Sequence, residues 1–285
     1  MPLLNFLELL PLPQMYFACL ACSALVLFVV TIGVWIALRV LRVPPTRILF
    51  DSGILITVLS LMFAVLVGFA SAGIWNDEVQ ARAAVQREAN AIENTVALAS
   101  SYPAELREQI NAEMMRYARY VLDRDWPAMQ QRPDLNEDLY DRSNNPLVAL
   151  ITQISTEAAG GTQRLPLSEA LVGQILEVRS TRLQREAIAR SGISAPQWLA
   201  LTLIATSALT VIILSQNQEF RVRVRMAGIY AFAVSSAFFV IVAHDRPFVG
   251  AIGIKPIPIE QAMKRIQGGI GDPSAASAQA ANGAR

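Results

Sequence analysis

The chain has 285 residues, 53% of them hydrophobic and only 16% charged, against about 25% charged in an average soluble domain. Basic and acidic residues nearly cancel, for a net charge of +1, and the chain carries a single histidine, His244. That excludes a histidine-based metal cluster and a Ser-His-Asp array with a spare base.

Residues 1–15 open with MPLLNFLELLPLPQ. There is no basic n-region and no small-residue cleavage site follows, so this is not a secretory signal. It reads as a segment lying along the bilayer surface with Glu8 facing water. Residues 16–38 carry no charge, and residues 52–75 carry none either. A bilayer core needs about 20 apolar residues in a helix, and in lipid only a helix satisfies its own backbone. These are the first two transmembrane spans, a pair covering residues 16–75. Cys19 and Cys22 form a CxxC within the first span, where small helix-packing residues are the expected reading rather than redox or metal chemistry.

The second span has a patterned surface. Ser52, Ser60, Ala64, Gly68 and Ala72 recur at multiples of four, with Thr57 and Ser71 nearby, while Leu55, Leu59, Met62, Phe63 and Leu66 fill much of the remainder. Small faces let membrane helices approach closely, and small hydroxylated faces can also line a water-filled path. Trp75 closes this span, Trp198 opens the third, and Tyr16 and Tyr230 stand near other span ends. Amphipathic rings favour the interface.

Residues 76–195 form an inserted soluble domain with 17 Asp/Glu, 13 Arg and no Lys or His. Its net charge of about −4 is the wrong sign for a nucleic-acid surface. The second span continues into it as a helix, with Val85, Ile92, Val96 and Ala99 at helical spacing. Ser100, Ser101 and Tyr102 interrupt it, and Pro103 suits the start of a new helix. There Leu106, Ile110, Met114, Tyr117 and Val121 make an apolar stripe, and Pro127 is expected to end it. Trp126 and Met129 are expected to cap the bundle. Residues 130–146 read as a polar surface loop, 146–158 as a short helix, and Gly160-Gly161 as a break. A last soluble helix starts near Leu167, packs through Leu171, Ile175, Val178 and Leu183, and ends where Gly192 suits a C′ position. The acids interspersed with arginines read as a solvated helix face.

Residues 196–216 and 226–243 are the third and fourth spans, within a second pair covering 196–243. His244, Asp245, Arg246, Pro247, Phe248 and Gly250 follow. Ionisable groups at a membrane boundary pair with one another and anchor a helix end. Pro247 and Gly250 supply a turn from which Phe248 is expected to pack back on the bundle. Residues 244–265 are therefore a membrane-boundary turn and short tail. Residues 266–285, rich in Gly, Ala and Ser, read as a disordered tail.

The short loops set orientation. Arg39, Arg42 and Arg47 join the first two spans and Arg221, Arg223 and Arg225 the last two. Excess arginine marks the cytoplasmic side, which puts the helical domain on the periplasmic side of a bacterial inner membrane. No P-loop, dinucleotide fingerprint or zincin motif is present, so no enzyme, catalytic residue, metal site or cofactor is expected.

Several segments together resemble the bacterial bestrophin-like family. They are Val85-Gln86-Arg87-Glu88-Ala89-Asn90-Ala91; Tyr117 to Met129, containing Asp125-Trp126-Pro127-Ala128-Met129 where family members often have Glu-Trp-Pro; Ser191-Gly192-Ile193 leading into Trp198; and Asp245-Arg246-Pro247-Phe248-Val249-Gly250. That family is distantly similar to bestrophins, oligomeric anion channels lined chiefly by their second span. The resemblance implies a homo-oligomer in membrane lipid, passing inorganic ions along Ser60, Ala64, Gly68 and Ser71. It also implies a cytoplasmic helical domain, against the arginine distribution. The acidic run that follows the Asn-Pro-Phe-Gly motif of calcium-gated bestrophins is absent, the sequence here being Ala251-Ile252-Gly253-Ile254-Lys255. A calcium switch of that kind is not expected.

The expected fold is thus an all-α integral membrane protein, four transmembrane helices arranged two plus two around an inserted soluble helical bundle. The expected function is a homo-oligomeric ion channel or pore. The alternative is a non-conducting sensor or scaffold module whose bundle docks a protein partner, with the 130–146 loop as the docking element.

Overall fold

A computed structural model of the chain describes residues 11–40, 52–131, 166–214, 220–250 and 252–271. Among the described residues the secondary structure is helical throughout. The helices are α1 (Leu12–Val40), α2 (Ser52–Ala99), α3 (Ala104–Tyr120), α4 (Trp126–Gln131), α5 (Pro166–Ala189), α6 (Ala195–Leu214), α7 (Phe220–His244) and α8 (Ile257–Gly271), with a π-helical turn at Val121–Asp125. Four stretches are long and apolar enough to cross a membrane: Pro13–Val34, within Gly53–Ala99, Ala195–Leu214 and Val224–His244. The all-helical, four-span class read from hydropathy is the class observed. As predicted, α2 runs unbroken out of its apolar stretch, and its 48 residues are more than twice the roughly 20 that a bilayer requires.

The chain divides into two compact units. Unit one comprises Met1–Glu78 and Gly192–Gly253, and in it α1, α6 and α7 pack on one another. One apolar cluster joins Met15, Ala70, Ile74, Trp198, Leu201, Ile241 and Val242. A second joins Leu209, Ile212 and Ala227, with Leu27, Ile56 and Tyr230 against it. The interfacial aromatics divide. Trp75 is 69% exposed, as a membrane-boundary ring should be, whereas Trp198 is only 8% exposed within the first cluster. Tyr16 meets Phe239 edge-on at 5.1 Å, and the Tyr230 hydroxyl donates to the Ala205 carbonyl at 3.2 Å. A buried ring with a polar tip keeps its packing energy only if that tip is satisfied, so these rings serve helix packing as well.

Unit two comprises Val79–Ser191 and Ile254–Arg285. Val85, Ile92, Ile110, Met114, Leu171, Ile175 and Val178 are fully buried, each on an apolar stripe legible in the sequence. Trp126 and Met129 are buried too, at 3% and 0% exposure. Helix α8 belongs to this unit and packs on α3. It presents Ile259, Ala262 and Ile266 inward, and Arg265 Nη1 reaches Glu93 Oε2 at 2.6 Å.

Several expectations are corrected. A helix occupies Ile257–Gly271, across the point at residue 265 where a short tail was expected to give way to a disordered one. The anchoring residues Ile259, Ala262 and Ile266 fall at i, i+3 and i+7, a helical spacing that the sequence does carry. Pro127 does not end the α3 segment: it is the second residue of α4. The π-turn before it closes with the Trp126 N–H on the Val121 carbonyl, which opens the backbone where a proline ring would otherwise clash with the carbonyl four residues back. Gln130 and Gln131 complete α4 rather than starting the loop. Leu183 is 48% exposed. Gly192 is no left-handed cap, because among the described glycines only Gly250 has positive φ, at 81°. The rest of the 130–146 loop, the 146–158 helix and Gly160-Gly161 lie outside the described residues, as do residues 1–10 and 272–285.

Candidate functional site

Three groupings carry the chemistry, two in unit one and one in unit two. The first is the small-residue stripe of α2. Ser60 and Ser71 are half-buried, and Ala64 and Gly68 are exposed. Phe63, Leu66 and Val67 pack on the first apolar cluster beside the buried Ala70 and Ile74. At 3.6 residues per turn the small stripe lies about a quarter turn round from that packed face, and the large Leu61, Val65 and Phe69 point further round still, all exposed. A methyl group added at Gly68 would meet nothing within 4 Å. The chain thus packs one edge of the helix and leaves the small stripe only partly covered, with Ala64 and Gly68 exposed.

The second grouping is the turn after α7. Asp245 is 6% exposed, and its Oδ1 accepts the Ile193 backbone N–H at 2.7 Å. Burial pushes this carboxyl above the usual carboxylate range; the Ile193 N–H and Arg246 pull it back, and Asp77 adds to the rise. A Cβ on Gly192 would sit 3.5 Å from Asp245 Oδ1, an ordinary contact that leaves room for a side chain. Pro247, Phe248 and Val249 are buried. The Val249 N–H donates to Arg246 O at 3.3 Å and the Gly253 N–H to Gly250 O at 3.2 Å. Gly253, passed over in the sequence, is the tighter glycine: a Cβ there would fall 2.8 Å from the Phe248 carbonyl oxygen. His244 is exposed, with Nδ1 3.0 Å from Val240 O.

The third grouping is the one that sequence reasoning missed. Glu88 of α2, Asp125 of the π-turn, and Arg182, Arg185 and Glu186 of α5 are all at most 5% exposed. Arg185 forks onto Glu88, Nε to Oε2 at 2.6 Å and Nη2 to Oε1 at 3.1 Å. Its Nη2 also lies 3.4 Å from Asp125 Oδ2. Arg182 forks onto Asp125 at 2.9 and 3.2 Å. Glu186 Oε1 lies 2.8 Å from Arg182 Nε, but that N–H points at Asp125, so the contact is an ion pair without hydrogen-bond alignment. The Tyr117 hydroxyl donates to Glu88 Oε1 at 2.5 Å. The guanidiniums of Arg185 and Arg182 face the rings of Trp126 and Tyr120 at 5.5 and 5.4 Å.

Burial raises the Asp125 and Glu186 carboxyls, although their arginine neighbours pull them down. Burial opposes the charge on Arg185, but Glu88, with Tyr117 and Asp125 beside it, outweighs burial and holds the guanidinium above its usual range. Burial, with Glu88 beside it, pushes Tyr117 well up. Three acids against two arginines leave the described cluster one negative charge in excess. The expectation that acids among arginines mark a solvated face therefore fails here. A signal was available: the inward stripe Leu171, Ile175, Val178 continues in register onto Arg182 and Arg185, so these arginines had to turn inward.

Comparison with known proteins follows the same lines. The Bestrophin-like domain model matches residues 24–259. No curated protein matches the chain by sequence. Among solved structures, the fold is similar to a bacterial bestrophin homologue from Klebsiella pneumoniae. A tryptophan-to-alanine variant of it matches at TM-score 0.65 with 14% identity, over 89% of this chain and 98% of that one. A tyrosine-to-alanine variant matches at TM-score 0.62, again with 14% identity and the same coverage. A crystal structure described as a membrane protein matches at TM-score 0.63 and 14% identity, over 90% of this chain and 97% of that one. At such identity the likeness speaks for the fold; the match over residues 24–259 speaks for descent, and the chain belongs to the bestrophin-like family.

Proposed function

We propose that the protein is a homo-oligomeric ion channel or pore of a bacterial inner membrane, lined by the membrane-spanning part of α2. The observation that carries this reading is the stripe of Ser60, Ala64, Gly68 and Ser71, none of them fully buried, on a helix of which none of the most apolar 18-residue window is buried by the chain itself. A helix left that bare needs other copies, lipid or water against it. Large apolar side chains answer to lipid and to other copies, and a small, partly hydroxylated stripe answers to a water-filled axis.

Family membership supports the same reading, since bestrophins are oligomeric channels lined chiefly by the second span. The turn from Asp245 to Gly250 then serves as a rigid boundary at the end of the fourth span. Membrane lipid and permeant inorganic ions are the partners.

Flux of chloride and of potassium through liposomes containing the purified protein tests the reading, with subunit number measured on the same sample. Gly68→Leu and Ser71→Leu are expected to abolish flux while leaving assembly intact. Unchanged flux in both variants would remove α2 from the pore.

A further inference from the structure

Unit one is packed at two levels and hollow between them. Met15, Trp198 and Val242 belong to one apolar cluster; Leu209 and Ala227, with Leu27 and Tyr230 against them, belong to the other. Between these levels α1, α6 and α7 surround a cavity of about 420 Å³. Its wall includes Cys19, Val26, Leu199, Leu209, Val234 and Phe238.

Three of the four hydroxyls on this wall, those of Thr202, Thr206 and Tyr230 but not Ser23, are engaged by backbone carbonyls. Thr202 Oγ1 donates to the Trp198 carbonyl and Thr206 Oγ1 to the Thr202 carbonyl, both at 2.8 Å. The Tyr230 hydroxyl donates to the Ala205 carbonyl. With most of its hydroxyls spent on its own backbone and the rest of its lining largely apolar, the wall offers little to repay the desolvation of a polar ligand. The occupant must be apolar.

Dimensions narrow the choice. From Trp198 to Leu209 the wall climbs α6 by roughly 16 Å at the helical rise, about half of a hydrocarbon core some 30 Å thick. Helix α6 begins at Ala195 and α7 ends at His244, so Trp198 and Val242 stand near span ends. The cavity therefore starts near the interface and runs inward for the depth of one leaflet. Val26 and Leu199, at 38% and 58% exposure, mark its open side. A single side chain from a second copy would fill only a fraction of a volume in the ordinary ligand-pocket range.

We propose that this cavity binds one acyl chain of a bilayer phospholipid, lying lengthwise between α1, α6 and α7 with its headgroup at the level of Trp198. The chain is a fixed structural ligand, distinct from the lipid that merely surrounds the spans.

Photolabelling tests this on the full-length protein in phosphatidylethanolamine–phosphatidylglycerol liposomes doped with a phospholipid carrying a diazirine on one acyl chain. Adducts mapped by mass spectrometry are expected to concentrate on Val26, Leu209 and Val234. Ala231→Phe fills the cavity from α7 and Ser23→Phe fills it from α1, so one folding variant suffices. Either is expected to cut wall adducts at least tenfold, while Leu203→Phe on the exposed face of α6 leaves them unchanged. Adducts spread evenly over exposed positions such as Phe28 and Ile229, and indifferent to filling, would overturn the proposal in favour of surrounding lipid only. Photo-leucine at Leu199 or Leu209 joining two protein chains would seat a second copy there and overturn it equally.

Discussion

Arg185 is the largest side chain that the described residues bury completely. Its charge is held by Glu88 on one side and approached by Asp125 on the other. Removing one member of a buried pair costs more than the pair contributes, because the remaining charge is stranded. Arg185→Met is therefore expected to lower unfolding stability by roughly 3–5 kcal/mol, read as a fall in melting temperature in detergent. Adding Glu88→Gln to it should restore much of the loss, since the amide still accepts from Tyr117. If the double variant melts no higher than the single one, stranded charge is not the cause.

Asp125 and Glu186 add a pH dependence of definite sign. Both carboxyls are raised by burial, so the folded protein holds their protons more tightly than the unfolded chain does. Their contribution is most favourable below the usual carboxylate range. It declines as pH rises through the window between that range and the raised values, then stays level. Glu186→Gln should remove its share of that decline, so that its melting temperature falls less steeply than that of wild type as pH rises above the usual carboxylate range. A parallel offset at every pH would rule out its titration. Among the glycines, Gly253→Ala drives a methyl into the Phe248 carbonyl, while Gly268→Ala meets nothing. The first should destabilise. The second should gain roughly 0.5–1 kcal/mol from helix propensity, and thermal melts of the two variants separate close approach from mere composition.

At the scale of elements, α2 and α5 each change character along their length. Helix α2 begins as a bare apolar span and ends with Ala81, Ala84, Val85 and Glu88 buried. Helix α5 begins with Leu171, Ile175 and Val178 inward and ends with Arg182, Arg185 and Glu186 inward. The π-turn at Val121–Asp125 belongs to the same logic. One extra residue in the turn places Asp125 toward Arg182 and lets Pro127 continue as helix. Deleting Leu122 would return the turn to α-helical spacing and rotate Asp125 off Arg182; the melting temperature should fall about as far as it does for Asp125→Ala. Little change would make the turn incidental.

For the whole molecule, orientation in the membrane has a direct measurement. The arginine distribution puts the inserted domain on the periplasmic side, whereas the family resemblance implies the cytoplasm. The two native cysteines, Cys19 and Cys22, both lie in the first span. Ser100→Cys therefore supplies a thiol outside the spans, and Ser100 is exposed. An impermeant maleimide should label it in intact spheroplasts if the arginines decide, and only after lysis if the bestrophin arrangement holds.

Sequence by itself determined the spans, the helical class, the family and the apolar stripes of unit two. Each of those is local: a membrane helix satisfies its backbone within about 20 residues, and an amphipathic stripe repeats within two turns. Tertiary structure alone decided what the charges do. Glu88 and Arg185 stand 97 residues apart, and Arg182 and Asp125 stand 57 apart. The register of α5 turns Arg182 and Arg185 inward, but no periodicity links residues at such separations, so the carboxylates they meet are not legible in sequence. The same holds for Gly253, whose tight space comes from Phe248, and for the hollow between two packed levels of unit one. Pairing across distance is a property of packing, and only the folded chain specifies it.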